Sequence, residues 1–190
     1  VCRHGTTTWN LAKRWQGQQD TDLAPEGIQQ AEETGKLLAA RIGHCQRIFS
    51  SDLTRAKRTA EIYGKALNCE VEVEPRLREP SLGKFEGMVK HEIYSQHADL
   101  FKELAQMSQS ERLDKAYFEG LETPAETSHR VEALVQELVE HNADDATVPT
   151  VLFVTHSKVL EAVLAKVFGK FYEGVNTSPG AFFEWHVSET

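Results

Sequence analysis

Two histidines stand where apolar runs end. Arg3-His4-Gly5 follows a short apolar opening, and Thr155-His156-Ser157 follows Val151-Leu152-Phe153-Val154. In α/β sheets the carboxyl ends of the strands border the ligand crevice, so residues just past a strand end are the ones that meet a ligand. Two arginines share that context. Arg3 offers a planar fork matched to phosphate. Arg55 falls in the first turn of a helix opening after Ser51-Asp52, with Thr59 one turn further on the same face, and a helix N-terminus itself favours anions. A neutral imidazole with a fixed tautomer is a competent nucleophile near neutral pH, and guanidinium groups can neutralise a transferring phosphoryl group. The set therefore points to phosphoryl chemistry. A strand running into a polar turn, with a solvated basic face behind it, accounts for Lys57 and Arg58 but poorly for four groups at strand ends.

Other chemistries lose ground by inspection. There is no G-x-x-x-x-G-K-[ST] loop, no G-x-G-x-x-G turn, and no cysteine followed six positions later by arginine. His91-Glu92 with His97 misses the i, i+4 spacing of a zinc-binding helix, so neither a metal nor another cofactor is expected. The 190 residues carry 29 acidic against 21 basic side chains, a net charge of -8. That balance argues against nucleic-acid or membrane partners, which need a basic face. No apolar run approaches the roughly 20 residues of a membrane span. Cys2, Cys45 and Cys69 are an odd, scattered set, which suits a reducing cytoplasm better than a disulfide framework. The sequence starts at Val1, two residues before its most informative motif, and reads as clipped at both ends. Oligomeric state is not legible.

Strand-like and helix-like segments alternate, which predicts a three-layer αβα sandwich with a mostly parallel central sheet. The pattern places strands over 1–3, 47–50, 70–74, 150–155 and 181–187. It places helices over about 26–42, after Asp52 as N-cap, around Val131 to Val139, and over about 158–168. The strand before His156 is the most apolar and is expected at the sheet centre. Residues 84–123 are more polar, with Phe101, Leu104 and Met107 on one stripe, and read as a helical cap insertion within a single domain spanning 1–190.

These blocks, taken together, resemble the histidine phosphatase superfamily in its phosphoglycerate-mutase-like branch. The matching pieces are Arg3-His4-Gly5 through Trp9-Asn10; Gln16-Gly17 with Leu23, Gly27 and Ala31; Ser51 through Ala60; Arg78-Glu79 with Gly83, Glu86 and Gly87; and Thr155-His156. They occur in the family's order along essentially the whole chain. The resemblance implies that His4 is the nucleophile, with Arg3, Arg55, His156, Asn10 and the backbone N–H of Ser157 around the phosphoryl oxygens. It makes Glu79 the general acid and base, and sets Arg14, Gln16 and Gly17 in a loop that touches substrate.

Some positions depart from that pattern. Thr6 stands for a glutamate, and Ser157 for a glycine, where a serine would be strained if the backbone required positive φ. Pro124-Ala125-Glu126-Thr127 replaces a glycine-rich segment, with Glu126 as its nearest equivalent. The expected activity is hydrolysis of a small phosphomonoester without metal, through a phosphohistidine. A cofactor-dependent phosphoglycerate mutase is the alternative, and a non-catalytic phospho-ligand binder the third.

Overall fold

The computed structural model describes residues 1–141, 150–169 and 177–184. Their order is β1 (Cys2–Arg3), α1 (Thr8–Leu11), α2 (Pro25–Ile42), β2 (Arg47–Ser50), α3 (Thr54–Leu67) and β3 (Val71–Val73). Then come α4 (Lys90–Gln96), α5 (Ala98–Gln106), α6 (Gln109–Leu113), α7 (Pro124–His141), β4 (Val151–Thr155) and α8 (Ser157–Phe168). The strands pair in the order β1-β4-β2-β3, every pairing parallel. β4 thus lies inside the sheet, covered on both faces, which is why its sequence is continuously apolar.

Alternation along the strands sorts the side chains into two layers. Ile48, Leu152 and Val154 face α2 and α3, packing with Ala31, Leu38, Ala56, Ala60, Tyr63 and Leu67. Phe49 and Phe153 face the other way, their ring centroids 5.9 Å apart, against Leu77, Val131, Leu134, Val159 and Val163 from the side of α7 and α8. Each large side chain so buried contributes about 1.5–3 kcal/mol. The αβα sandwich expected from the sequence is the fold observed.

The helices that follow neighbouring strands β1 and β4 go to opposite faces. α2 joins the first layer and α8 the second. Such a reversal opens a crevice at the carboxyl ends of the two strands, and ligands of open α/β sheets bind there.

Three local expectations are revised. Asp52 does not cap α3; Leu53 occupies the N-cap position without a side-chain bond. The Asp52 carboxylate is held instead by Arg78 through two charge-assisted bonds, a stronger attachment than a backbone amide. Asp20 caps the helix from another loop, its Oδ1 accepting the Thr54 N–H at 2.8 Å. β3 is three residues long, shorter than 70–74. Of the strand expected over 181–187, Phe182 makes one antiparallel bridge to Cys2, and residues 185–187 lie outside the described residues.

Residues 84–123 form α4, α5, α6 and their connections, and share a small apolar cluster with Trp15 and Leu82. Trp15 is its hub, meeting Phe85, Tyr94, Phe101, Tyr117 and Phe118 edge-on at centroid distances of 6.0 to 6.4 Å. Among the described residues no helix is long and apolar enough to cross a membrane.

Candidate active site

Strand register brings the two histidines together. Arg3 of β1 pairs with Thr155 of β4, so the next residues, His4 and His156, leave the sheet side by side. The His4 N–H donates to Thr155 O at 3.0 Å, and the imidazole centroids lie 5.1 Å apart. Both rings are buried.

The tautomer of His4 follows from its neighbour. Nδ1 lies 2.7 Å from Gly5 O, and a carbonyl only accepts, so Nδ1 carries the proton and Nε2 keeps its lone pair. Gly5 is itself fixed. Its N–H donates to Thr59 Oγ1 at 3.1 Å, and that hydroxyl donates to Arg55 O at 2.7 Å. A Cβ at Gly5 would meet Gly27 O at 2.5 Å, so only glycine lets the first turn of α2 pack this closely against the histidine loop.

Arg55 is fully buried and anchored through its tips, Nη1 to Gln19 O at 2.9 Å and Nη2 to Gly17 O at 2.7 Å. Arg3 donates to Thr177 O. Among the described residues the Nε atoms of both arginines and both ring nitrogens of His156 are buried without a partner. Each such group costs about 1–3 kcal/mol. Three side chains flanking His4 therefore hold back hydrogen-bonding capacity that an acceptor-rich anion would satisfy.

Electrostatics favour the same occupant. Burial, then Arg55 and Arg3, hold the His4 pKa well below 6.5; burial, Arg55, His4 and Arg3 do the same for His156. Burial lowers Arg55 to about 10, which leaves it charged at neutral pH. The pocket thus pairs neutral imidazoles with cationic guanidinium groups.

Glu79 is buried beside them, reached from β3 through the 3-10 turn Pro75–Leu77. Its carboxylate accepts the Lys158 N–H, the Oε2 and Oε1 distances being 3.2 and 3.4 Å, and its carbonyl accepts from Gln18 Nε2 at 3.1 Å. Burial raises its pKa, an effect that Arg55, Arg3 and Lys158 oppose without cancelling. Arg78, the obvious surface partner, is committed to Asp52. Next to Glu79 in the chain, a shallow cleft is lined by Pro80, Ser81, Tyr117, Thr127, Lys158 and Glu161.

The remaining expected site residues divide. Asn10 Oδ1 accepts the Thr7 N–H and the Asn10 N–H donates to Thr7 Oγ1, both at 3.0 Å, which closes the N-terminal cap of α1. Gln16 Oε1 accepts from Thr7 and Thr21, which turns it inward. Gly17 serves Arg55 through its carbonyl, at φ +52, where a Cβ would strike Glu86. Arg14 donates to Gly87 O at 2.6 Å in an exposed position. Ser157 opens α8 and is not among the residues with positive φ, so serine is unstrained there. Glu126 accepts the Thr123 N–H at the start of α7 and is exposed.

Lys158 carried little signal in the sequence, because it acts through a tertiary partner, Glu79. Thr59, expected on the Arg55 face, holds the Gly5 N–H, and half-buried Lys90 has its pKa lowered by burial, then by Arg3 and Lys158. Among the described residues no group of three or more His, Cys, Asp or Glu is arranged to hold a metal.

The model of the histidine phosphatase superfamily (branch 1) matches residues 1–181. A probable phosphoglycerate mutase GpmB of Salmonella choleraesuis (strain SC-B67) is 34% identical over 169 residues, covering 89% of this chain and 74% of that one. The phosphoglycerate mutase of Bacillus anthracis str. Sterne superposes with a TM-score of 0.79 at 27% identity, over 94% of this chain and 83% of the other. A mycobacterial glucosyl-3-phosphoglycerate phosphatase in complex with VO3 superposes with a TM-score of 0.75 at 31% identity, over 88% and 78% of the two chains.

Proposed function

The chain belongs to the histidine phosphatase superfamily, and from that premise we propose that it hydrolyses a small phosphomonoester through a phosphohistidine on His4. The observation that carries the reading is the set of buried, unpartnered nitrogens around an imidazole whose Nε2 lone pair is free to attack. In the first step Nε2 forms a bond to phosphorus as the phosphorus–oxygen bond to the leaving group breaks. Glu79, whose carboxyl group burial pushes toward the protonated form, gives that oxygen its proton. Arg3, Arg55 and His156 surround the phosphoryl oxygens, the two guanidinium groups balancing their charge, with the Ser157 N–H and the Asn10 amide N–H2 as further donors. In the second step the Glu79 carboxylate takes a proton from water, which attacks phosphorus and releases phosphate from His4. Positive charge from the two arginines serves in place of a metal.

Residues 84–123 then act as a cap over this pocket. Lys90 brings a cation without a side-chain partner among the described residues toward Arg3 and Glu79, which suits a substrate with a second anionic group. Arg14, Gln16 and Gly17 shape the entrance, Gln16 and Gly17 through structural bonds. Three free cysteines suit an enzyme of the reducing cytoplasm acting on a soluble metabolite.

A mutase is the second reading, favoured by the likeness to GpmB and to the Bacillus anthracis mutase. The two readings part on the fate of the phosphohistidine, which a mutase must shield from water. Incubation with 3-phosphoglycerate and 2,3-bisphosphoglycerate separates them: hydrolysis predicts free phosphate outpacing isomer formation, and the reverse order overturns it. His4→Ala should abolish both turnover and the acid-labile phosphoenzyme.

A further inference from the structure

Lys158 reaches two parts of the molecule with two different groups. Its backbone N–H, in the first turn of α8, donates to the Glu79 carboxylate at 3.2 and 3.4 Å. Its ammonium donates to the Tyr117 hydroxyl at 2.9 Å and pairs with Glu161 Oε2 at 2.7 Å. Tyr117 belongs to residues 84–123, with its ring against Trp15 and Phe101. One residue therefore joins the buried acid of the sheet layer to the aromatic cluster of that segment. Among the described residues, His4, the two arginines and His156 make no such link.

We propose that Lys158 is a positioning residue, tying Glu79 to residues 84–123: its amide holds the carboxylate while its ammonium is anchored on Tyr117 and Glu161. The inference rests on the reading of Glu79 as proton donor. Two consequences follow from the geometry. An acid that must meet a leaving-group oxygen loses rate steeply when its position is loose. Its environment also changes charge when the ammonium is lost. The charged groups facing Glu79 are Arg3 from β1, Arg55 from α3, Lys90 from α4, and Lys158 with Glu161 from α8, beside the neutral imidazoles of His4 and His156. Lys158 is the cation among them that is fastened to Tyr117.

The sign is unambiguous. A nearby cation favours the carboxylate, so removing it favours the acid form and moves the loss of the Glu79 proton to higher pH. In Lys158→Met the basic limb of kcat/KM for an alkyl phosphate should move up by about half a pH unit or more. Its kcat should fall about tenfold, while p-nitrophenyl phosphate, whose leaving group needs little protonation, loses less than about threefold. Lys158→Arg should restore the limb, and Tyr117→Phe should shift it in the same direction by a smaller amount. A merely structural residue would lower melting temperature and all rates together, leaving the limb in place.

Should Lys158→Met fail to fold, the Tyr117→Phe and Lys158→Arg profiles carry the test. The proposal falls if the limb stays within about 0.2 pH units of wild type in Lys158→Met and Tyr117→Phe, or if Lys158→Arg moves it as far as Lys158→Met. Glu79→Gln separates the two levels. Where that variant removes the limb and Lys158 variants leave it unmoved, only the positioning role is lost. Where the limb survives Glu79→Gln, the proton-donor reading fails and takes this one with it.

Discussion

Thr59 offers the sharpest test of how the His4 loop is held, because it touches neither imidazole. Its hydroxyl accepts the Gly5 N–H at 3.1 Å and donates to Arg55 O at 2.7 Å, in a fully buried position. Thr59→Val keeps the shape and deletes both bonds. The Arg55 carbonyl retains its place in α3, but the Gly5 N–H is left buried without an acceptor, at a cost of about 1–3 kcal/mol. Taking about 2 kcal/mol, and roughly 2–4 °C per kcal/mol for a chain of this size, the melting temperature should fall by about 4–8 °C. The same loss frees the Gly5 carbonyl, which fixes the His4 tautomer. A poorer tautomer population worth about 1.4 kcal/mol would lower kcat about tenfold. Thr59→Ser keeps the hydroxyl and should stay within about 2 °C of wild type. Scanning fluorimetry and steady-state phosphate release give both readouts. A Thr59→Val protein that melts like wild type and turns over at its rate would refute the idea that this buried chain of bonds supports the nucleophile.

Glu79→Gln should slow alkyl phosphates by about 100-fold or more while costing p-nitrophenyl phosphate under about tenfold, and equal losses would remove Glu79 as the proton donor. Stability should decline as pH falls below 6.5, because His4 and His156 have pKa values depressed in the folded state and must gain charge in a buried pocket. Inorganic phosphate should blunt that decline in melting experiments by binding the folded form, whereas an acid sensitivity unaffected by phosphate would point to groups elsewhere. Gly27→Ala should destabilise by about 2–4 kcal/mol, since its Cβ would lie 2.0 Å from Thr6 O; urea unfolding with an unchanged midpoint would contradict the packing described.

Residues that the chain pattern alone could locate are those whose position follows from a strand end. His4 and His156 sit one step past paired strand residues, so the expectation that they meet needed only the sheet to be parallel. Arg55 was equally legible, standing in the first turn of a strong amphipathic helix. What the sequence concealed depends on partners far away in the chain. Asp52 looked like a cap because its local spacing was right, but Arg78, 26 residues on, holds its carboxylate. Gln16 matched a substrate-touching loop by resemblance, and its inward bonds to Thr7 and Thr21 are ones that local spacing does not announce. Lys158 looked like an ordinary first-turn lysine, because nothing local announces Tyr117, 41 residues earlier. Local propensity cannot see such choices, since tertiary bonds of greater strength override it.

The insertion of β4 between β1 and β2 also governs how this protein becomes competent. Until the late-arriving strand threads into that gap, the earlier strands present two open edges and the first imidazole has no companion. Pairings this distant in sequence slow the search for the native state. A nascent chain must therefore keep a vacancy at its centre free of rival strands, and it remains inert until nearly all of these residues have emerged from the ribosome.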